Sequence, residues 1–419
     1  MWGPCPSFML SLGYRPRVTA SLLTLPSLCS EYCSYWHIIC TVPFAMVSFL
    51  VGQKDKLFQS RAQTYRIPAL IYLAQHHTLL AFAEQRAGKA DEKAKKIILR
   101  RGQYQAEAHQ VQWQEMEVME TAQLEGHRSM SPCPVYDEDT GTLFLLFITV
   151  PNEISESYQI QNKTNLVRVC YVTSRDLGST WSPATDFTSS AIGPIYTQWA
   201  TFCIGPGHGV QLHNQSRSLV VPAYAYRLLE SQKPTSHAFC LRSDDHGETW
   251  KMGHFVSMGN TFESQVAEVS AHGQKVLYCN SRSTLGRRVQ AVSPNDGDDF
   301  QDAGQIEKLI EPPYGCHGSV IGFPNPTPNV PGSADTWVLY SHPTDPLRRR
   351  NLGLYINRDP LDPAGWSKPV ILSNGFCAYS DLQYMGLSPN GSPRFGCLFE
   401  HGDYEEIFFV TLTLQDPFY

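Results

Sequence analysis

One eight-residue pattern constrains this chain more than any other feature. Ser174-Arg-Asp176-Leu-Gly178-Ser-Thr180-Trp181 recurs as Ser243-Asp-Asp245-His-Gly247-Glu-Thr249-Trp250. A degenerate third copy is Ser293-Pro-Asn295-Asp296-Gly297-Asp-Asp-Phe300. The pattern reads as a β-hairpin turn. Asp or Asn at its third position accepts hydrogen bonds from backbone amides within the turn. Gly at the fifth supplies a left-handed backbone, and the closing Trp or Phe enters the next strand and packs between sheets. A strand-like run precedes the copies, as in Leu166 to Thr173 or Ala238 to Leu241. The copies lie about 50–70 residues apart, which fits blades of roughly four strands each.

Further strand candidates are Thr142 to Val150, Ser218 to Val221, Trp337 to Tyr340 and Ile407 to Thr413. Long amphipathic helices are nearly absent; Ala90 to Leu99 imitates one but ends in a strand-like run. Thirty Gly, 29 Pro and 11% aromatics in 419 residues suit many short strands joined by tight turns. The expected fold is therefore all-β, a six-bladed β-propeller of four-stranded antiparallel blades. Six blades need about 370 residues, the stretch after Met46.

Net charge is −6 and there is no basic tract, so no nucleic-acid partner is expected. Four of 12 Cys (Cys5, Cys29, Cys33, Cys40) fall in the first 45 residues, and the other eight are spread singly. Spread cysteines read as buried thiols of a reducing compartment, hence a cytoplasmic protein; disulfides are the alternative. Glycosylation triplets at Asn162, Asn214 and Asn390 are silent in that compartment. No metal or other cofactor is implied: His-Glu-x-x-His, paired Cys/His spacings and a phosphate loop are all missing.

Residues 1–45 are Ser/Leu/Cys/Pro-rich and nearly free of acid. They read as an extension without its own fold, ahead of a single domain at 46–419. A cleaved leader and a membrane anchor are the other readings, but Pro26 and Pro43 break the apolar runs and no stable span is expected.

Tyr65-Arg66-Ile67-Pro68 precedes the three turn repeats, and in this order the motifs resemble the sialidase family, with its Arg-Ile-Pro segment and Asp boxes. Ala81 to Arg86, Gly126 to Met130, Gly205 to His208, Pro222 to Arg227 and Cys377 to Leu382 extend the likeness toward the family's cytosolic animal branch. It covers about residue 46 to the C-terminus.

The resemblance implies a site for an anionic sugar. A sialic acid bears a carboxylate on its anomeric carbon, and guanidinium groups hold such an anion bidentately at any pH. Arg66, Arg282 and Arg349 match the family's three arginines; on register alone Arg348 and Arg350 compete with Arg349. A carboxylate nucleophile would be repelled by that anion, and sialidases use Tyr instead. The resemblance assigns this role to Tyr379, with Glu263 as its base, and the acid/base role to Asp91. On the residues alone Tyr379 reads as a core aromatic and Asp91 as part of a solvated run with Lys89, Lys93, Lys95 and Lys96.

Glu84 and Glu400 are expected to orient the arginines or to be ordinary rim charges. Arg86 is expected near the carboxylate and a ring hydroxyl, and Glu156, Tyr224 and Tyr226 at the glycerol chain. Met130 and Ile148 are expected to line the N-acetyl pocket, with Ser131 standing where the cytosolic branch has Asn. Ser is shorter and has one donor fewer, which implies weaker or wetter binding of the acetamido region. His317, where that branch has Gln, reads as structural.

The expected activity is that of a retaining exo-α-sialidase acting on sialylated glycolipids, glycoproteins or oligosaccharides. A sialic-acid lectin on the same propeller is the alternative, and it would not need an acid and a nucleophile. An interaction scaffold would not need the three arginines. Oligomeric state is left open by the sequence.

Overall fold

Every strand-like run named above becomes a strand in the structure, a computed structural model that describes residues 47–59, 62–228, 233–328 and 333–415. The expectations for residues 1–45 lie outside the described residues. The strands form five antiparallel sheets. The first holds Thr64–Leu73, Thr78–Arg86, Ala94–Gln105 and Gln110–Trp113, with Glu117–Val118 also on the third of these. The second holds His127–Asp137, Thr142–Pro151, Arg168–Ser174 and Thr185–Asp186. The third runs from Trp199–Ile204 and Val210–Gln211 through Leu219–Arg227 and Thr235–Ser243 to Lys251–Met252. Its innermost strand is split by the Gly205-Pro-Gly-His-Gly209 loop. The fourth comprises Thr261–Ala271, Gln274–Ser283, Arg287–Ser293 and Gln301–Ile310.

The last sheet has seven strands: Ser319–Pro324, Thr336–Pro343, Arg350–Asn357, Val370–Leu387, Pro393–His401, Glu406–Gln415 and, from the start of the described chain, Ser48–Gln59. Long strand Val370–Leu387 pairs with Arg350–Asn357 through residues 370–376, and with Pro393–His401 through 377–387. Each sheet packs on the next, and the last packs back on the first, so the fold is an all-β propeller. Pairing of Ser48–Gln59 with Glu406–Gln415 joins the two ends of the ring. The α-helices, Glu156–Asn162 and Thr188–Ile192, are short, and among the described residues no helix is long and apolar enough to cross a membrane. The Ala90–Leu99 run divides as its sequence suggests, into a single 3₁₀ turn at Asp91–Lys93 and the strand Ala94–Gln105.

The turn repeats do what their chemistry dictates. Asp176 Oδ1 accepts from the amides of Ser179 and Thr180 at 3.1 and 2.9 Å, and Asp245 and Asn295 accept equivalent bonds from Thr249 and Asp299. The first-position serines add a bond that sequence reasoning passed over: each Oγ accepts from the Gly amide, at 2.8–2.9 Å. Gly178, Gly247 and Gly297 have φ of 80°, 88° and 88°. Space matters as much as φ, because a Cβ on Gly247 would sit 2.1 Å from Phe144 of the preceding sheet. Trp250 packs on that same Phe144, and Trp181 packs on Phe82 of the sheet before it. The boxes thus fasten neighbouring sheets together.

All eight described cysteines are free and buried. The four in residues 1–45 lie outside the described residues.

Gly247→Ala combines a left-handed backbone with a steric clash. It should destabilise the protein by about 3 kcal/mol, read from the midpoint of chemical denaturation.

Candidate active site

The innermost strands deliver their site residues to one end of the ring. Thr64–Leu73 brings Arg66, His127–Asp137 brings Met130 and Ser131, Thr261–Ala271 brings Glu263, and Val370–Leu387 brings Tyr379. These residues line an open cavity of about 230 Å³. Glu84, Arg86, Asp91, Ile148, Glu156, Tyr224, Tyr226, Arg282 and Arg349 line it too. Every site residue expected from the sequence is therefore at the cavity except Glu400, which lies fully buried beneath it.

Glu400 is the anchor under the floor. One of its oxygens accepts from Arg66 Nε at 3.1 Å and from the Ile67 amide at 2.9 Å; the other accepts from the Tyr379 amide at 3.1 Å. Ile67 has φ 59° within a bulge that shifts the register between Arg66 and Ala69. The bulge turns the Arg66 side chain out of the ladder and toward the cavity. The Arg66 guanidinium stacks 3.9 Å from the Tyr404 ring centre, and burial opposed more strongly by Glu400, Tyr404 and Tyr379 leaves its pKa raised.

Tyr379 and Glu263 form a close pair, Oη to Oε1 at 2.5 Å. Arg282 binds both, donating from one nitrogen to Glu263 at 2.7 Å and to Tyr379 Oη at 2.9 Å. Burial and the Glu263 charge push the Tyr379 phenol well above its ordinary range, against the three arginines. Burial pushes Glu263 up, but Arg282 and other neighbours outweigh it and leave the carboxyl below its usual range. The pair is thus a neutral phenol donating to a carboxylate. His317 is buried under it, its ring centre 5.1 Å from that of Tyr379, with Nε2–H donating to the Pro206 carbonyl at 2.9 Å. Burial depresses the His317 pKa to about 4, so the imidazole is neutral.

Arg349 donates to Tyr404 Oη at 3.0 Å and to the Gly315 carbonyl at 3.1 Å, and no carboxylate is among its hydrogen-bond partners in the described residues. Its neighbours Arg348 and Arg350 do not line the cavity, so the register among the three arginines falls on 349.

Asp91 stands on its 3₁₀ turn, held by a Lys89–Asp403 ion pair of 2.6 Å and the Ala87 to Lys93 backbone bond. Its side chain is 56% exposed, so the lysine-rich surroundings are solvated as a charge run should be. Asp91 itself is not a free surface charge: Arg86 donates to it at 2.7 Å, and Arg66 lies at 3.8 Å. Desolvation raises its pKa, but the two arginines pull harder, and the carboxyl sits below its ordinary range. Glu84 is fully buried, binding Arg86 Nε at 2.7 Å and the Ser131 amide at 2.7 Å, which makes it an orienting residue and not a rim charge. Burial drives its pKa up against Arg86.

On the opposite wall, Glu156 heads the helix Glu156–Asn162 and accepts from Tyr224 Oη at 3.2 Å. Tyr224, Tyr226 and Phe262 pack edge to face or tilted, at 5.8–6.2 Å. Glu156 is exposed as a residue, but desolvation of its carboxyl in the cavity, with Asp91 and Glu263 adding repulsion, pushes it up to about 7. Ser131 has φ 54° and takes a hydrogen bond from Cys203 Sγ at 3.2 Å. That left-handed backbone is one that Asn adopts more readily than Ser.

Several lining residues escaped sequence reasoning. Arg128 donates to the carbonyls of Pro151 and Ile154 at 2.8 and 2.6 Å and so holds the loop leading into the Glu156 helix. Its position two residues before Met130 on one strand was a usable signal. Phe262, beside Glu263, was another. Thr201, Cys203 and Gln159 carried no pattern that marked them, and neither did Tyr404, which touches Arg66 and Arg349 from outside the lining. Away from the cavity, Asp137, Asp139 and His246 come close enough to share a cation, but Gln211, Thr140 and Arg217 already occupy the two carboxylates.

Comparison with known proteins places these features in company. The family model for the BNR repeat-like domain matches residues 77–388. The chain is 56% identical to Sialidase-2 of Mus musculus over 374 residues, covering 89% of this chain and 98% of that one. It is 40% identical to human Sialidase-3 over 382 residues, covering 83% and 87%. Among solved structures, the Hadza microbial sialidase Hz136 superposes with TM-score 0.68 at 23% identity, covering 83% of this chain and 65% of that one. A Trypanosoma rangeli sialidase in complex with 2,3-difluorosialic acid, a covalent intermediate, superposes with TM-score 0.63 at 14% identity, over 86% and 59%.

Removing Glu400 leaves the buried Arg66 charge and two backbone amides without their shared partner. Glu400→Ala should lower stability by about 3–5 kcal/mol, measured by equilibrium denaturation.

Proposed function

The chain belongs to the sialidase family, and on that footing we propose that it is a retaining exo-α-sialidase whose nucleophile is Tyr379. The observation that carries the reading is the Tyr379–Glu263–Arg282 cluster, with Oη 2.5 Å from a carboxylate and 2.9 Å from a guanidinium. Arg66, Arg282 and Arg349 hold the substrate carboxylate, and Arg86 supports it with a ring hydroxyl. Attack by Tyr379 Oη on the anomeric carbon breaks the bond to the leaving oxygen as the phenol proton passes to Glu263. Asp91 protonates that leaving oxygen and then deprotonates the water that releases the sugar. A neutral nucleophile avoids repulsion by the substrate anion, and Arg282 stabilises the phenolate character that grows as the proton leaves.

With Arg86 and Arg66 beside it, Asp91 is poised as a carboxylate. A bound substrate anion shares the charge of Arg66 and desolvates the cavity, and both effects lift the Asp91 pKa toward the range of an acid. Glu84 and Glu400 orient Arg86 and Arg66. Glu156, Tyr224 and Tyr226 meet the glycerol chain, and Met130, Ser131 and Ile148 meet the acyl group. The substrates are sialylated gangliosides, glycoproteins and oligosaccharides. We also read the seven-stranded sheet as two four-stranded blades sharing Val370–Leu387, which makes six blades, and residues 46–419 as the domain behind an extension at 1–45. Buried free thiols support a cytoplasmic location.

Trapping with 2,3-difluorosialic acid should add the sugar's mass to a peptide containing Tyr379, and the first product seen by NMR should be the α-anomer. A wild-type protein that is folded and binds sialic acid without turnover would make it a lectin. Asp91→Asn should lower kcat/KM toward an aryl-poor natural sialoside by about 10²–10⁴-fold, with the smallest loss on substrates whose leaving group needs no proton.

Glu156 gives a separate pH signature. It is neutral below pH 7 and gains a negative charge as pH rises through about 7, facing an anionic substrate. KM should therefore rise across that range. Glu156→Gln should flatten the rise, read from KM against pH between 5.5 and 8.5 (roughly 1.5 pH units either side).

A further inference from the structure

The wall assigned to the acyl group is built for more than a methyl. Met130, Ile148, Val150 and Val167 form its apolar side. Thr201 and Gln159 line the same cavity, although their residues are only 2% and 1% exposed. Thr201 Oγ1 has no hydrogen-bond partner among the described residues. Gln159 spends Oε1 on the Leu166 amide at 2.7 Å, and its Nε2 has no partner among them. Neither atom is sealed in the interior, since both are missing from the closed, partnerless atoms of the core. Each is therefore turned to the cavity.

Their placement follows from the strands. Thr201 and Cys203 alternate on Trp199–Ile204 and share a face, opposite Tyr226 and Tyr224 of the next strand. Cys203 Sγ touches Ser131 Oγ at 3.2 Å, which puts this face beside Ser131. Gln159 lies three residues after Glu156, on the same side of its helix. Three groups able to donate, the Thr201 and Ser131 hydroxyls and the Gln159 amide, thus border one apolar recess. A recess meant for a methyl alone gains nothing from them, because desolvating an unpaired polar group is unfavourable.

We propose that the acyl recess accepts a hydroxylated acyl group, so that N-glycolyl sialosides are good substrates alongside N-acetyl ones, with Thr201 and Gln159 setting that tolerance. The added hydroxyl accepts from Gln159 Nε2 and exchanges a hydrogen bond with Thr201 Oγ1, displacing solvent from both. The shorter Ser131 leaves room that Asn would fill. This rests on the sialidase reading and on the acyl group lying at Met130 and Ser131.

The test compares N-glycolyl with N-acetyl substrates in two readouts. One is kcat/KM for the paired 4-methylumbelliferyl sialosides. The other is calorimetric binding of the paired 2,3-dehydro sugars, which needs no turnover. The wild-type glycolyl-to-acetyl ratio should be near or above unity in both. Thr201→Val and Gln159→Glu (which keeps the acceptor for Leu166) should each lower the ratio by about three- to tenfold, and Thr201→Ser should preserve it. Flat ratios in both variants, or a wild type that rejects N-glycolyl by more than about tenfold, would overturn the proposal. If the wild type turns over neither sialoside while the binding ratio still follows Thr201, the exo-sialidase reading falls and the recess assignment stands. Normal turnover with flat ratios sinks the recess assignment alone.

Discussion

A single buried carboxylate at the middle of the ring, Asp381, ties the innermost strands together. It accepts from the Leu70 amide at 2.7 Å, from Ser319 Oγ at 2.9 Å and from the Leu382 amide at 3.1 Å, and His208 Nδ1–H donates to it at 2.7 Å. These partners come from the first sheet, the third and both parts of the seven-stranded sheet. Gln265 extends the cluster into the fourth sheet, donating to the Pro206 and His208 carbonyls and accepting from Ser319. A propeller axis is where inner strands diverge and apolar side chains pack poorly. A charge with its hydrogen-bonding capacity filled pins them there at defined heights. Tyr379 lies two residues from Asp381 on the same strand, so its place above the axis is inherited from this cluster.

Glu400 repeats the device one layer higher, where it sets the spacing of Arg66 and Tyr379. The site above is then assembled from charges that would repel one another in isolation. Arg282 is matched by Glu263, Arg66 by Glu400, and Arg86 by Glu84 and Asp91. Of the three arginines assigned to the substrate carboxylate, Arg349 is the one met, among the described residues, by neutral oxygens. The cavity's positive charge is therefore underpaid at one corner, on the side where Tyr404 and Gly315 give only dipoles. Solvation of a guanidinium by a hydroxyl and a carbonyl is displaced readily by a carboxylate, because an anion returns more energy than either.

Most of this was legible in the residues. The turn repeats announced the hairpins because their chemistry is local: a side chain, an amide four residues on and a left-handed Gly all lie within one turn. The strand runs were legible because alternation survives in a half-buried sheet. The cavity residues became legible only through resemblance. Tyr379 and Glu263 stand 116 positions apart, and nothing in their neighbours distinguishes them from core residues. For Glu400 and Glu84 the residues left two readings open, an orienting partner or a rim charge, because burial of a carboxylate is decided by partners far along the chain. Thr201 and Gln159 were invisible for the reverse reason. Each sits in an apolar or helical context where its polar atom would ordinarily be paired, and only the fold reveals that it is not.

Ser131 shows how such a site can change without loss of its chemistry. Its amide is fixed by Glu84, which also fixes Arg86, so the backbone there is bound to the charge network and cannot drift. Its side chain faces the recess and takes no part in that network beyond the contact with Cys203. Substitution at 131 therefore alters the volume and donors of the recess while Arg86, Asp91 and the Tyr379–Glu263 pair keep their geometry. Recognition of the sugar's substituents and stabilisation of the reacting carbon are held by different hydrogen bonds, and this separation lets specificity vary on a constant catalytic floor.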